Sequence, residues 1–474
     1  MRVALINTNR IQPPIAPIGL EYVAEALGAA GHDVEVLDLC WVQEPGAAIA
    51  RFFAGPEFDL VGVTLRNTDD CAFTSRHSFL DAFAGMVHTI RTHTGAPIVL
   101  GGVGFSVMPE RVLARCEADA GVWGEGEFAM VALADRADRA DRARRMARGE
   151  AWHDVPGLVW RGQDGWQRNA PSMPSLSDLP AMSRRWLDNQ RYFREGGQAG
   201  FETKRGCPGK CIYCADPLAK GRVTRVRSPA AVADELANLL AQGIDHFHTC
   251  DSEFNLPERH AIAICREMVR RGLGDKLRWY AYCAPAPFSR ELAGLMREAG
   301  CVGVNFGADH GDAAMLKRLG RAYTPDDILA ATQRCHEVGM VVMLDLLLGA
   351  PGETREGIAR TIELMQRAAP ERVGISLGVR VYPGTRLAAQ VLTGSREGLV
   401  GAADPAEPLF FLEPAVAQDA FSWVDELVGD DRRFLFFDPS KPKQNYNYNA
   451  NQRLVEAIGK GYRGAYWDML RRYE

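Results

Sequence analysis

The sequence predicts an α/β protein. A doubly wound parallel sheet comes first, then a partial (β/α)6 barrel of the TIM type, then a small mixed α+β region. Three observations predict this. The 474 residues exceed what one core of ordinary size accommodates, so two or three domains are expected. Short apolar runs alternate with stretches of helical apolar spacing through most of the chain. Glycines and acidic residues follow those runs, at the strand ends where such sheets bind ligands.

The first region is read as residues 1–151. Val3-Ala4-Leu5-Ile6 is a short apolar run, and Pro13, Pro14 and Pro17 mark the loop after it. Residues 19–30 have helical spacing, which Gly31 stops. Residues 34–39, 60–65, 98–100 and 121–123 read as buried strands. Alternation of this kind implies an open parallel sheet with helices on both faces. Its carboxyl ends carry Asn67-Thr68, Gly101-Gly102 and Gly124-Glu125-Gly126-Glu127. Residues 134–148 repeat Ala-Asp-Arg and read as a solvated, salt-bridged helix. Residues 152–200 are dense in Pro and Gly, as a linker is, with a hairpin expected over 155–168.

The second region, residues 201–390, repeats a strand–helix unit. Its strands are expected over 200–204, 246–250, 277–282, 303–306, 341–348 and 372–379. Such units suit a partial barrel with its chemistry at the strands' carboxyl ends. The third region, residues 391–474, holds an aromatic strand-like run over 434–437. A polar loop over 444–449 and an amphipathic helix ending near Arg471 follow.

Charge and composition exclude some classes. A net charge of −5 gives no basic footprint, so nucleic acid is not an expected partner. The apolar run over 340–350 contains Asp345 and is too short to span a bilayer. The start lacks the apolar length of a signal peptide, and the cytoplasm is the expected location. Eleven cysteines there favour metal or catalytic use, or plain burial, over disulfides.

The stretch Arg205-Gly206-Cys207-Pro208-Gly209-Lys210-Cys211-Ile212-Tyr213-Cys214 follows an expected strand and so lies at the barrel mouth. Three thiolates in one short loop can converge on one metal centre, and Gly206, Pro208 and Gly209 let the chain turn tightly around it. A cubane cluster takes cysteine thiolates, and three of them leave one iron open for catalysis. Zinc is the alternative, but structural zinc wants a fourth Cys or His, and none is near.

This spacing, Cys-x3-Cys-x2-Cys with an aromatic residue before the last, resembles the signature of the radical S-adenosylmethionine (radical SAM) superfamily. Along most of its length the chain is similar to the B12-binding-domain branch. The N-terminal half carries that likeness through Pro17-Ile18-Gly19-Leu20, residues 60–65, Val99-Leu100-Gly101-Gly102 and Gly124-Glu125-Gly126-Glu127. The second half carries it through Asp251-Ser252-Glu253-Phe254-Asn255, Asn305-Phe306-Gly307-Ala308-Asp309, Leu348-Gly349-Ala350-Pro351-Gly352-Glu353 and Val381-Tyr382-Pro383-Gly384-Thr385.

The resemblance implies a [4Fe–4S] cluster on Cys207, Cys211 and Cys214, with SAM on its open iron. One electron would cleave SAM and leave a 5′-deoxyadenosyl radical. The resemblance also implies a SAM site. Tyr213 would approach the adenine, and Asp251 or Glu253 would accept from the SAM ammonium. Asp309 stands where the family often has Glu, one methylene longer. Gly349 would admit the adenosyl group, and Arg380 would pair with a carboxylate. Cobalamin would lie on Asn67, Thr68, Gly101, Gly102 and Gly124, without the Asp-x-His-x-x-Gly histidine that many cobalamin folds supply. For each acidic residue the plainer reading is a helix cap or loop hydrogen bond.

The expected function is cobalamin-dependent methylation of an unactivated carbon in a small molecule, served by a one-electron reductant such as a flavodoxin or ferredoxin. Oxidation, cyclisation or rearrangement by a radical SAM enzyme is the alternative, and a non-catalytic iron–sulfur carrier a further one. Methylthiotransferases use three N-terminal cysteines, but Cys40, Cys71 and Cys116 read as ordinary packing residues. Trp279, Tyr280, Tyr282, Tyr446 and Tyr448 are candidates for a pocket lining.

Overall fold

The computed structural model describes residues 1–135, 154–393, 396–404, 406–436, 448–449 and 451–474. The charged helix expected over 134–148 lies outside these residues from position 136 onward, as do Phe437 and Tyr446. The chain forms two compact units. The first comprises Met1–Asp69, Ser78–Asn189 and Asp216–Gly221, and the second Asp70–His77, Gln190–Ala215 and Arg222–Glu474.

The first unit is a sheet of β1 (Arg2–Asn7), β2 (Asp33–Asp38), β3 (Leu60–Thr64), β4 (Ile98–Gly101), β5 (Ala120–Val122), β6 (Leu158–Gly162) and β7 (Gly165–Arg168). Strand order is β2-β1-β3-β4-β5-β6-β7. The first five run parallel, and β6 and β7 add an antiparallel hairpin. Val3, Ala4, Leu5 and Ile6 are buried on both faces, as the unbroken apolar run requires. In this strand order ligands bind at the carboxyl edge, where the order reverses between β1 and β3. The stretch after the hairpin packs onto this unit rather than standing apart. Arg184 Nε donates to Glu21 at 2.7 Å and Asn189 Nδ2 to the same carboxylate at 2.9 Å, all three residues being buried.

The second unit is built on β8 (Ala199–Phe201), with a short antiparallel ladder of β9 (Lys204–Arg205) and β10 (Arg225–Val226) beside it. The main sheet continues through β11 (His246–Thr249), β12 (Arg278–Cys283), β13 (Cys301–Asp309), β14 (Val341–Leu348) and β15 (Arg372–Leu377). A small sheet of β16 (Val379–Arg380), β17 (Leu399–Gly401) and β18 (Leu409–Phe411) follows, then β19 (Phe434–Phe436). The main sheet is all parallel, in the order β19-β15-β14-β13-β12-β11-β8. All six expected strands of this region are present. The strand expected over 200–204 is split, because Glu202 and Thr203 leave the ladder before β9. No ladder joins β8 to β19 among the described residues, so the sheet is a partial barrel.

Two features depart from expectation. The aromatic run at Phe434–Phe436 extends the main sheet instead of belonging to a separate region. The single helix expected to end near Arg471 is two helices, Gln452–Gly459 and Tyr466–Tyr473, with Gly461 and Gly464 at positive φ between them. The second helix closes one end of the barrel. Ala465 and Trp467 pack with Tyr280 and Met343, and Tyr280 Oη donates to Asp468 Oδ2 at 2.7 Å.

Candidate active site

The cysteine loop leaves β9 at Gly206. Its near end is held from below. Asp251 Oδ1 accepts from the Thr203 and Lys204 backbone N–H groups at 2.9 and 3.2 Å, while Oδ2 accepts from Thr203 Oγ1 at 2.6 Å and Lys204 Nζ at 3.4 Å. Its far end is clasped by the turn after helix Ala313–Leu319, where Ile212 N donates to Leu319 O at 3.0 Å. A Cβ on Gly209 would stand 3.2 Å from Cys207 Sγ and 3.7 Å from Cys211 Sγ. Both thiols thus border Gly209, where a side chain would crowd them. Burial pushes the Cys211 thiol up to about 11, a cost that metal coordination removes because a bound thiolate is deprotonated outright. No set of three His, Cys, Asp or Glu side chains among the described residues closes on a single-ion site. The donor set and the glycine beside it fit a cluster held by Cys207, Cys211 and Cys214.

Beside Cys211 stands a polar hub. Tyr213 Oη donates to Asp309 Oδ2 at 2.6 Å. Arg321 donates to both oxygens of Asp309, at 2.5 and 2.9 Å, to Tyr213 Oη at 2.9 Å and to Glu253 Oε1 at 3.4 Å. Asp309 ends β13 in the left-handed region, with φ of 54°, which turns its carboxylate into the hub. Burial pushes the Glu253 carboxyl up to about 7, against the pull of Arg321. Burial and the Asp309 carboxylate together push the Tyr213 phenol well above its usual value. The hub therefore brings together three residues expected at the SAM site, Tyr213, Glu253 and Asp309. It adds Arg321, which sequence reading missed. No motif marks Arg321; the signal was the need for a cation between two buried carboxylates.

The other expected SAM contacts are placed differently. Asp251 is buried, and its four hydrogen bonds saturate both oxygens. It is a loop anchor, a correction to its reading as a SAM acceptor. Gly349 has φ of 86°, and a Cβ there would meet Leu412 Cδ1 at 2.4 Å, so tight packing with β18's neighbour requires the glycine. Its N–H donates to Glu353, which His310 Nε2 also bonds at 3.0 Å. Arg380 donates to the carbonyls of Val381 and Leu409 and lies 4.5 Å over the Tyr382 ring.

On the concave face of the main sheet, Tyr282 is 44% exposed although it lies mid-sheet. Its ring centroid is 4.6 Å from that of His248. His248 Nδ1 sits 2.9 Å from Thr249 O, and burial lowers the imidazole to about 4. The ring is thus neutral at ordinary pH with its proton on Nδ1, leaving Nε2 as an acceptor. Trp279 points the other way, into the helix-covered core, and Tyr280 forms part of the floor.

The first unit's candidates share one edge. Leu65 N donates to Gly101 O and Gly104 N to Leu65 O, so the loops after β3 and β4 are stitched together. Ser106 Oγ donates to Gly102 O at 2.9 Å and accepts from Gly124 N at 3.0 Å, adding the loop after β5. Thr68 is buried with its hydroxyl on Asp69, so it shapes the loop from within. A Cβ on Gly102 would meet Leu65 O at 2.4 Å, so its smallness serves this stitching, not the docking of a ligand as expected. Gly101 is different: a Cβ there would have only Val122 O, at 3.9 Å, within reach. Two residues on, Val103 is 43% exposed, a large apolar side chain at this edge. Such an edge fits a broad, flat, largely apolar macrocycle.

Comparison with known proteins identifies both domains. Residues 201–365 match the radical SAM superfamily, and residues 5–134 match the B12 binding domain. The chain is 37% identical to a tryptophan 2-C-methyltransferase of Streptomyces laurentii, over 81% of this chain and 74% of that protein. An uncharacterised methyltransferase of Pyrococcus horikoshii is 28% identical over 78% of this chain and 77% of its own. A radical SAM methyltransferase of Kitasatospora setae, solved with tryptophan and a SAM analogue, superposes with a TM-score of 0.89 at 31% identity, covering 100% of this chain and 97% of that one. The same enzyme has been solved with cobalamin and a [4Fe–4S] cluster. The chain belongs to the B12-binding-domain branch of the radical SAM superfamily, among its cobalamin-dependent methyltransferases.

Proposed function

We propose that this chain methylates an unactivated ring carbon of a tryptophan-type small molecule. The observation that carries the reading is the open aromatic ledge of Tyr282 and His248, in a chain 37% identical to a tryptophan 2-C-methyltransferase. A flat ring gains from packing against such a face.

When bound, the cluster and SAM supply one-electron chemistry and methyl groups, and cobalamin supplies a methyl carrier. The chain's own residues position these parts. Cys207, Cys211 and Cys214 hold the cluster. Tyr213 would approach the adenine, and Glu253 or Asp309, held by Arg321, would meet the SAM ammonium, while Gly349 and Arg380 are engaged in packing and in backbone hydrogen bonds. Asn67, Gly101 and Gly124 offer the cobalamin edge, with Thr68 and Gly102 shaping it. The floor of Tyr280 and Trp467 excludes water from the closed end of the barrel. A flavodoxin or ferredoxin serves as reductant. Eleven cysteines without a disulfide suit the cytoplasm.

The test is an anaerobic assay of the cofactor-loaded enzyme with tryptophan, followed by mass spectrometry and NMR of the product. The reading expects a methyl group on a ring carbon. Methylation of some other metabolite with tryptophan untouched would overturn the substrate.

A further inference from the structure

Asn305 belongs to the stretch Asn305–Asp309 but takes no part in the hub described above. It lies on β13 between Val304 and Phe306, whose side chains are in the core beneath the helices. Strand side chains alternate between faces, so Asn305 projects to the concave side. Its neighbours fix its height there. A Cβ on Gly303 would stand 2.9 Å from the Tyr280 ring, at the floor. A Cβ on Gly307 would stand 3.1 Å from Arg321 Nη2 and 3.9 Å from Glu253 Oε1, at the hub. Asn305 is therefore midway between floor and hub. In the ladder it pairs with Tyr282 on β12 and Met343 on β14.

Asn305 is only 4% exposed, and its carboxamide oxygen has no hydrogen-bond partner among the described residues. A buried acceptor in this state has lost water and gained nothing, which is costly and rare in native proteins. A donor supplied by a ligand resolves it. Met343 beside it offers none, and the adjacent ledge of Tyr282 and His248 suits a flat ring. The donor a flat heteroaromatic ring carries in its own plane is a ring N–H.

We infer that the carboxamide of Asn305 accepts a hydrogen bond from the ring N–H of a planar aromatic substrate lying against Tyr282. This rests on the tryptophan-type reading and adds the recognised atom and the residue that recognises it. Asn305 is then a specificity-determining residue. A site built around a substrate N–H rejects analogues that lack it, because the acceptor is left buried and alone.

The experiment is calorimetric binding to the cofactor-loaded enzyme, using tryptophan and the analogue in which sulfur replaces the ring N–H. The wild type should prefer tryptophan by about 10- to 100-fold. Asn305→Leu should bring the ratio near one, chiefly by weakening tryptophan. Its substrate-free melting temperature should be unchanged or raised, since an unmet acceptor has been removed. A merely structural Asn305 would lower that temperature and leave the ratio intact, and that result overturns the inference. A wild type that binds both compounds alike overturns it while leaving the tryptophan reading in place. A wild type that binds neither overturns the substrate reading and this inference with it.

Discussion

Cys207 and Cys211 border Gly209, whereas Cys265, Cys283, Cys301 and Cys335 are buried in the helix-covered core. That separates the candidate ligands from packing residues. Cys207→Ala, Cys211→Ala and Cys214→Ala should each lose most of the reconstituted iron, and Cys40→Ala, Cys71→Ala and Cys116→Ala should keep it. Iron analysis checks this, and loss of iron in the second set would require a second cluster. His248 gives a pH test. Its folded value is lowered to about 4, so below its unfolded value of 6.5 the unfolded chain takes up a proton that the folded chain refuses. Stability is therefore lost as pH falls from 6.5 towards 4. His248→Gln should lose less melting temperature than wild type between about pH 7 and about pH 5; an equal loss would mean that the imidazole is solvated. At this scale the cysteine motif was legible because its ligands are neighbours in sequence. Arg321 was not, because it meets Tyr213 across 108 residues with no motif of its own. Nor could the sequence say that the Asp251 oxygens are consumed by Thr203 and Lys204.

Strands and helices were the most legible level. An apolar run such as that at β1 marks a strand buried on both faces, and parallel order follows from the alternation of such runs with helices. Ends and pairings were less so, because a ladder depends on distant partners. β19 reads as an isolated aromatic run until β15 is seen beside it. Glycines at strand ends also need the structure. Gly102 has φ of 97° and touches backbone, so Gly102→Ala should lower the melting temperature rather than act only on cobalamin. The cleaner probe is Val103, exposed at the same edge. Val103→Glu should weaken cobalamin uptake, read from the corrin absorbance, with melting temperature and iron content unchanged. Full uptake would move the macrocycle off this edge.

The whole molecule joins two sequence-legible signatures, a cysteine loop and a glycine-marked sheet edge, into one enzyme. Its C-terminal part was the least legible, because its role is tertiary. Tyr280 and Asp468 meet across 188 residues, and the helix carrying Asp468 looks like any amphipathic helix until it is found closing the barrel. The proposed substrate wall is legible only at this scale too, since Asn305, Tyr282 and Met343 come from three strands. As a cobalamin-dependent methyltransferase, this chain moves a methyl group from SAM to carbon. The measurement that tests it most directly uses the cluster- and cobalamin-loaded enzyme under anaerobic conditions, with SAM isotopically labelled in its methyl group. Labelled methyl on a ring carbon of the product and release of S-adenosylhomocysteine are expected. A fully loaded enzyme that consumes SAM and alters its substrate, yet leaves the product without label, would contradict this transfer.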